Sequence, residues 1–164
     1  MKTKRFFAFA LAFACAVVVG CSQGPKKPVD LPTLYPATVT VVYDDGTPVA
    51  EATVALLTAG GGASKWNLTG VTDAQGKLVL KTNGNWDGAP AGSYEAIVSK
   101  EITEMEAGDE PGASAVVKSR VKYVDSRFNN PKTSGLTAEI KEGDNQIEFK
   151  VGEKIEEGVA EAGA

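Results

Sequence analysis

Histidine is absent from the sequence of 164 residues, and cysteine occurs only twice. The absence of histidine removes the commonest general base, every triad built on histidine and every metal site with an imidazole ligand. The chain is acidic, with 17 Lys+Arg against 21 Asp+Glu, and nucleic-acid binding is disfavoured because it depends on basic patches. Carboxylates remain as possible catalytic groups, but no spacing singles out a pair. We therefore predict no enzyme, no cofactor and no metal site.

One long apolar run, Phe6 to Gly20, follows Lys2, Lys4 and Arg5 at the start of the chain. A basic start, a short apolar stretch and small residues before a cut site are typical of a secretory signal peptide. The run has 15 residues, or about 22 Å of helix, whereas a membrane span needs about 20 apolar residues. The sequence therefore predicts an exported protein whose residues 1–20 are a signal peptide.

The end of this run, Val18-Val19-Gly20-Cys21, resembles the lipobox of bacterial lipoproteins. The resemblance implies that Cys21 takes a diacylglyceryl group, that cleavage occurs after Gly20, and that acyl chains hold the protein in a membrane. About two chains suffice for stable anchoring. The alternative is an ordinary signal peptide followed by a coincidental cysteine. Ser22 lies where an Asp would retain an enterobacterial lipoprotein in the inner membrane, so the outer membrane is favoured.

Cleavage after Gly20 changes the charge and thiol content of the exported chain. Cys15 is lost and Cys21 carries lipid, so no thiol remains for a disulfide or a metal. The exported chain keeps 14 Lys+Arg against 21 Asp+Glu, a net charge of −7. Anionic headgroups should repel such a chain, and we expect no polybasic patch to assist the acyl anchor.

A tether is predicted from Cys21 to Pro36. Ser22 to Pro36 holds four of the eight prolines, and proline fixes φ and lacks an N–H. An extended segment of this kind reaches about 45 Å at ~3.1 Å per residue. It is either a semi-rigid stalk between bilayer and domain or a plain disordered N-terminus.

From residue 37 to residue 151, apolar and polar residues alternate in short segments, as half-buried strands do. Turn sequences such as Asp44 to Pro48 and Asp73 to Gly76 separate them. The pattern predicts an all-β domain, an antiparallel β-sandwich of about seven strands with a single core. The predicted inward residues are Ala37, Val39, Val41 and Tyr43; Ala52, Val54 and Leu56; Leu78 and Leu80; Tyr94, Ala96 and Val98; Leu136, Ala138 and Ile140; and Ile147, Phe149 and Val151, with a weaker strand from Asn67 to Thr72.

A resemblance to a known family rests on the order of four segments. They are DGTPV from Asp45, ATV from Ala52, TDAQGKL from Thr72 and GSYEAIV from Gly92. In this order they resemble the carboxypeptidase regulatory-like domain, a transthyretin-like (prealbumin-like) or Ig-like sandwich.

The resemblance extends over most of residues 37 to 151. Tyr123 and the segment NPKTSGLTAEI from Asn130 resemble small bacterial lipoproteins built on that domain. The family implies a non-catalytic accessory or cell-surface domain and supplies no site residues. The chain departs from the family at Glu101 to Ser119, an insertion longer than the usual loop of ~4–6 residues.

Acidic residues make this insertion the first candidate for a site. Glu101, Glu104, Glu106, Asp109 and Glu110 cluster there, and Ca²⁺ takes 6–8 oxygen ligands. Their order does not match an EF-hand loop, and nothing in the sequence forces them to converge. A solvated loop is the favoured interpretation, since charge runs normally face solvent.

Trp86 is the second candidate, because it lies in a polar turn with Asn83, Asn85 and Asp87. A tryptophan in such a turn can stack on a sugar or anchor a protein partner, and the four residues would then form a ligand site. The favoured alternative is that the ring folds back as a lid over the open end of the core. The same alternative applies more strongly to Trp66.

The sequence as a whole predicts a lipid-anchored cell-envelope β-sandwich that acts as a non-catalytic structural or protein-interaction module. The alternative function is a carbohydrate-binding surface module that uses Trp86. The first predicts an exposed sheet edge or apolar patch, and the second predicts an exposed Trp86 beside a shallow groove. The acidic tail, Gly152 to Ala164, is expected to be disordered, since it has little apolar surface to bury.

Overall fold

The structure is a computed structural model that describes residues 26–60, 65–106 and 116–158. The predicted signal peptide and Cys21 lie outside the described residues. The strands are β1 (Leu34–Tyr35), β2 (Ala37–Val42), β3 (Thr53–Thr58), β4 (Leu68–Val71), β5 (Lys77–Val79), β6 (Lys81–Thr82), β7 (Trp86–Asp87), β8 (Ala89–Pro90), β9 (Gly92–Ser99), β10 (Glu101–Glu106), β11 (Val116–Lys122), β12 (Leu136–Ile140), β13 (Asn145–Lys150) and β14 (Glu157–Gly158).

Two sheets pack face to face around one core. The larger has the strand order β12-β9-β3-β4-β6-β7, and the smaller has the order β13-β2-β5. The predicted inward residues are buried between the sheets, except Leu136 and Ile147, which are partly buried. The predicted all-β sandwich and its seven strand segments are therefore confirmed. The largest fully buried side chains are Leu56, Leu68, Leu80, Ile140, Val39, Val41, Val49, Val54, Val98, Val151 and Thr82.

The prediction of a wholly antiparallel sandwich is wrong for one pair of strands. β13 runs parallel to β2, with Asn145 opposite Ala37 and Lys150 opposite Val42. The turn after β12 carries the chain from the larger sheet to the smaller one, where the Asn145 amide N–H donates to Pro36 O at 2.9 Å. Alternation identifies the faces of a strand but not its partner, which is why the sequence pattern missed this pairing.

The domain begins before the predicted boundary at Ala37. β1 pairs with β8, so that Tyr35 lies opposite Ala89. Gly88 allows this approach, because it has φ +96° and a Cβ there would lie 2.6 Å from Tyr35 O. The free part of the predicted tether is therefore shorter than residues 21–36.

The insertion is not the plain loop that we expected. β10 and β11 form an antiparallel hairpin with a bulge between Glu104 and Met105, and its turn, residues 107–115, lies outside the described residues. β14 adds to the other edge of β11, opposite Val121 and Lys122. Within the described residues, the acidic tail therefore contributes Glu157–Gly158 to this sheet, and disorder of the tail stays a prediction.

Two single-turn helices lie between β11 and β12. Asp125 caps the 3-10 turn Ser126–Asn129 by accepting from Arg127 N, and Asn130 caps the α1 turn (Pro131–Ser134) by accepting from Lys132 N. The Ser134 hydroxyl donates to Ala96 O at 2.8 Å and fastens this segment to β9. No helix in the described ranges has the length and apolar character needed to cross a membrane.

Candidate functional site

The tether and the β10–β11 hairpin lie at opposite ends of the sandwich. β1 meets β8 just before β9 begins at Gly92. β9 has eight residues, or about 26 Å of strand at ~3.3 Å per residue. The hairpin starts at the far end of β9, where the Tyr123 amide N–H donates to Lys100 O at 2.9 Å. We call the two ends the tether end and the distal end.

The turn that carries Trp86 lies at the tether end. Asn83 and Gly84 have φ values of +50° and +70°, and the Asn83 side chain supports the turn by accepting from Asn67 N at 2.8 Å. The Asn85 side chain donates to Asn83 O at 2.9 Å. Asp87 Oδ1 lies 3.3 Å from Lys81 Nζ. Each polar side chain of the predicted set thus has at least one partner within the chain.

The Trp86 ring is half-buried. Trp86 lies directly opposite Thr82, which is fully buried, and opposed residues point to the same side of a sheet. The indole is therefore on the core side of the edge of the larger sheet. The structure brings Trp86, Asn83, Asn85 and Asp87 together on one hairpin. This arrangement fits the alternative interpretation, in which the indole is a lid over the core and the polar residues support its turn. Sugar binding by this set stays a prediction.

The distal hairpin exposes apolar side chains on a strand with an open edge. Ile102 and Met105 are 42% and 56% exposed, and among the described residues β10 has a strand neighbour on one side alone. Glu101 Oε1 lies 3.2 Å from Arg120 Nε, and the Ser119 hydroxyl donates to Glu104 Oε2 at 3.0 Å. These contacts tie β10 to β11 and leave the apolar side chains on the surface.

The same contacts bear on the acidic cluster in the insertion. Glu101 and Glu104 face a guanidinium and a hydroxyl, while Asp109 and Glu110 lie outside the described residues. Within the described ranges, no three acidic, histidine or cysteine side chains are grouped so as to hold a metal ion.

Tyr123 connects the base of the hairpin to the core and to the tail. Lys100 Nζ and Lys154 Nζ lie 5.4 and 6.0 Å from the centre of its ring. The Tyr43 hydroxyl donates to Tyr123 O at 3.1 Å. Burial raises the pKa of Tyr43, and the negative charge of Asp45 adds to the effect. The residue that follows β11 is thus in contact with the core, with the start of the hairpin and with the tail.

A groove between β4 and β5 is a second surface with exposed apolar side chains. Asp73 N donates to Lys77 O at 2.7 Å, but beyond this turn β5 leaves β4 to pair with β2. The resulting open groove has a volume of about 490 Å³, and Val71 and Val79 beside it are 59% and 54% exposed. The sequence contained a signal for this surface, because the alternation places both valines at outward positions of their strands.

The shifted pKa values at other groups have structural causes. The hydrogen bond from Lys65 lowers the pKa of Asp30, and the backbone N–H of Thr47 lowers the pKa of Asp45. Burial raises the pKa values of Tyr35 and Tyr94. These groups belong to an ion pair, a turn and the core, and none of these arrangements pairs a nucleophile with a base.

No family model and no curated protein matches the chain. Among solved structures, the chain is similar to a variant of BcpA, the major pilin subunit of Bacillus cereus, at 18% identity and a TM-score of 0.43. The match covers 73% of this chain and 30% of the pilin chain, so this chain spans about a third of the length of that protein. At this identity and TM-score, the likeness assigns neither a family nor a function.

Proposed function

We propose that the protein is a lipid-anchored module of the cell envelope that binds a protein partner and catalyses no reaction. Export and cleavage after Gly20 leave Cys21 as the acylated N-terminus, with the outer membrane as the favoured location. The residues from Cys21 to Asp30 connect the acyl chains to the tether end. The sandwich then holds the β10–β11 hairpin away from the bilayer.

The observation that carries this proposal is that the tether and the exposed hairpin lie at opposite ends of the domain. The chain enters at the tether end, and the exposed Ile102 and Met105 lie on an open strand edge at the distal end. An exposed strand edge can be extended by a strand of another protein, and apolar side chains beside it add burial. Covering the exposed parts of these two side chains would contribute about 2 kcal/mol, at ~1.5–3 kcal/mol for a whole side chain.

The segments that resemble the carboxypeptidase regulatory-like domain support a non-catalytic role and membership of that family. Thr72 joins two loops inside the core through its hydroxyl, and Asp73 Oδ1 accepts from Gln75 N and Lys77 N at 2.9 and 2.8 Å. Gly76 has φ +70°, and a Cβ there would lie 2.6 Å from Val41 O. Each residue builds a turn, and none presents a reactive group.

Crosslinking in the envelope, followed by affinity capture and mass spectrometry, tests the proposal. The chain should crosslink to a specific envelope protein, and I102S/M105S should lower the ratio of crosslinked to free protein about thirtyfold, the equivalent of about 2 kcal/mol. V71S/V79S is the matched control, because it replaces two valines of similar exposure beside the groove. Loss of the partner in V71S/V79S, with retention in I102S/M105S, would move the interface from the hairpin to the groove.

A further inference from the structure

A small basic and apolar surface lies where the chain enters the domain. Lys26 and Lys27 are exposed, and Val29 is fully exposed at a turn closed by Leu31 N donating to Pro28 O at 3.2 Å. The ammonium group of Lys65 contacts the Asp30 carboxylate and lies 5.3 Å from the centre of the Trp66 ring. We call Lys26, Lys27, Val29, Lys65 and Trp66 the basal patch.

The length of the chain outside the described residues limits how far the basal patch can lie from the bilayer. Eight residues separate Cys21 from Asp30, so the nine steps between these two residues span about 28 Å at ~3.1 Å per residue. An anchor this short keeps the patch at a high effective concentration near the membrane surface. A weak attraction is then sufficient to hold the patch against the surface.

The charge of the basal patch is opposite to that of the exported chain. The patch has three lysines beside one aspartate, whereas the exported chain has 14 Lys+Arg against 21 Asp+Glu, a net charge of −7. The same end carries Lys141, whose Nζ lies 3.0 Å from Glu139 Oε2, and also Glu142 and Asp144. The excess of positive charge therefore belongs to the basal patch and not to the tether end as a whole. Lysine and tryptophan are both favoured at membrane interfaces, where a charged or polar group meets headgroups and an apolar body meets acyl chains.

We propose that the basal patch docks on an anionic phospholipid surface and sets the orientation of the sandwich, with the distal hairpin pointing away from the bilayer. The docking rests on the proposed anchoring at Cys21. It differs from the sequence-based expectation that no polybasic patch assists the anchor, because that expectation followed from the net charge of the whole exported chain. Local charge matters here, since attraction to headgroups acts within about a Debye length, ~10 Å at 0.1 M salt.

The test uses the chain beginning at Cys21, coupled through that thiol to a maleimide phospholipid in vesicles. The coupling works whether or not the cell acylates Cys21, so failure of docking is distinguishable from failure of the proposed function. Trp86→Phe leaves Trp66 as the single tryptophan. Brominated phospholipids should quench Trp66 fluorescence in vesicles that contain phosphatidylglycerol, and quenching should decrease in phosphatidylcholine alone or at ~1 M salt.

Lysine substitutions in the same vesicles give the decisive comparison. K26Q/K27Q should lower the ratio of docked to undocked protein on the order of 25-fold, at roughly fivefold per lysine, without altering the Lys65 contact with Trp66. K132Q/K150Q makes the same change of charge at exposed positions outside the patch, and it should quench like the parent. Absence of quenching in the parent, or equal losses in the two double variants, would overturn the proposal.

Discussion

Thr72 is the position at which the sandwich should be most sensitive to the loss of a single polar atom. Its hydroxyl accepts from Ala52 N at 2.8 Å and donates to Val49 O at 2.6 Å, in the buried interior. Thr72→Val keeps the shape but leaves a donor and an acceptor without a partner. Each unsatisfied buried group costs about 1–3 kcal/mol, so we expect the free energy of unfolding to fall by about 2–6 kcal/mol.

Equilibrium denaturation in urea, followed by tryptophan fluorescence, measures this change. A domain of this size has a stability of about 5–15 kcal/mol, so a fall of this magnitude shifts the midpoint clearly. Thr72→Ser is the matched control: it keeps the hydroxyl, removes one methyl group and should cost only about 1 kcal/mol. If T72V unfolds at the same midpoint as the parent, or if T72S is the less stable variant, the argument from unsatisfied groups is refuted.

Three further predictions concern the tether end and the core. Gly88→Ala should lower the free energy of unfolding by about 2–4 kcal/mol and expose Tyr35 to proteolysis, because a Cβ would overlap Tyr35 O at a positive φ. Gly84→Ala is the control, because Gly84 has φ +70° and open space around it; it should cost about 1–2 kcal/mol, and equal costs for the two variants would contradict the overlap. Burial raises the pKa of Tyr43 above its ordinary value of 10.0, so the contribution of Tyr43 to stability is present below pH 10 and lost as the pH rises further. Between pH 9 and pH 11, the melting temperature of Y43F should therefore fall less than that of the parent protein, and an equal fall would contradict this cause. Trp86→Ala should cost about 2 kcal/mol in thermal denaturation because the ring is half-buried, whereas unchanged stability with loss of glycan retention on a column would favour the carbohydrate-binding function.

Strand positions were predictable because the core strands each bury one face. In β2, buried Ala37, Val39 and Val41 alternate with half-buried neighbours, and the sequence shows that period directly. The hairpin strand β10 has the sequence EITEME and projects from the sandwich, so neither of its faces is buried in the core. Apolar and polar residues therefore do not alternate in β10, and its acidic composition indicated a solvated loop instead of a strand.

Pairings between distant segments were not predictable from periodicity. β1 depends on a close approach between Gly88 and Tyr35, and β14 depends on the position of β11. The Trp86 set shows the same limit at a candidate site. Its residues do lie together, but only the structure shows that Asn83 accepts from Asn67 N and that the indole shares a side with buried Thr82.

The central claim is that the sandwich is held to the envelope by lipid at Cys21. Intact-mass spectrometry of the protein purified from membranes tests it most directly. The account predicts a chain that begins at Cys21 and carries the added mass of a diacylglyceryl group, with Cys21→Ala releasing a folded protein from the membrane. A chain that begins elsewhere, or that lacks added acyl mass, would contradict it.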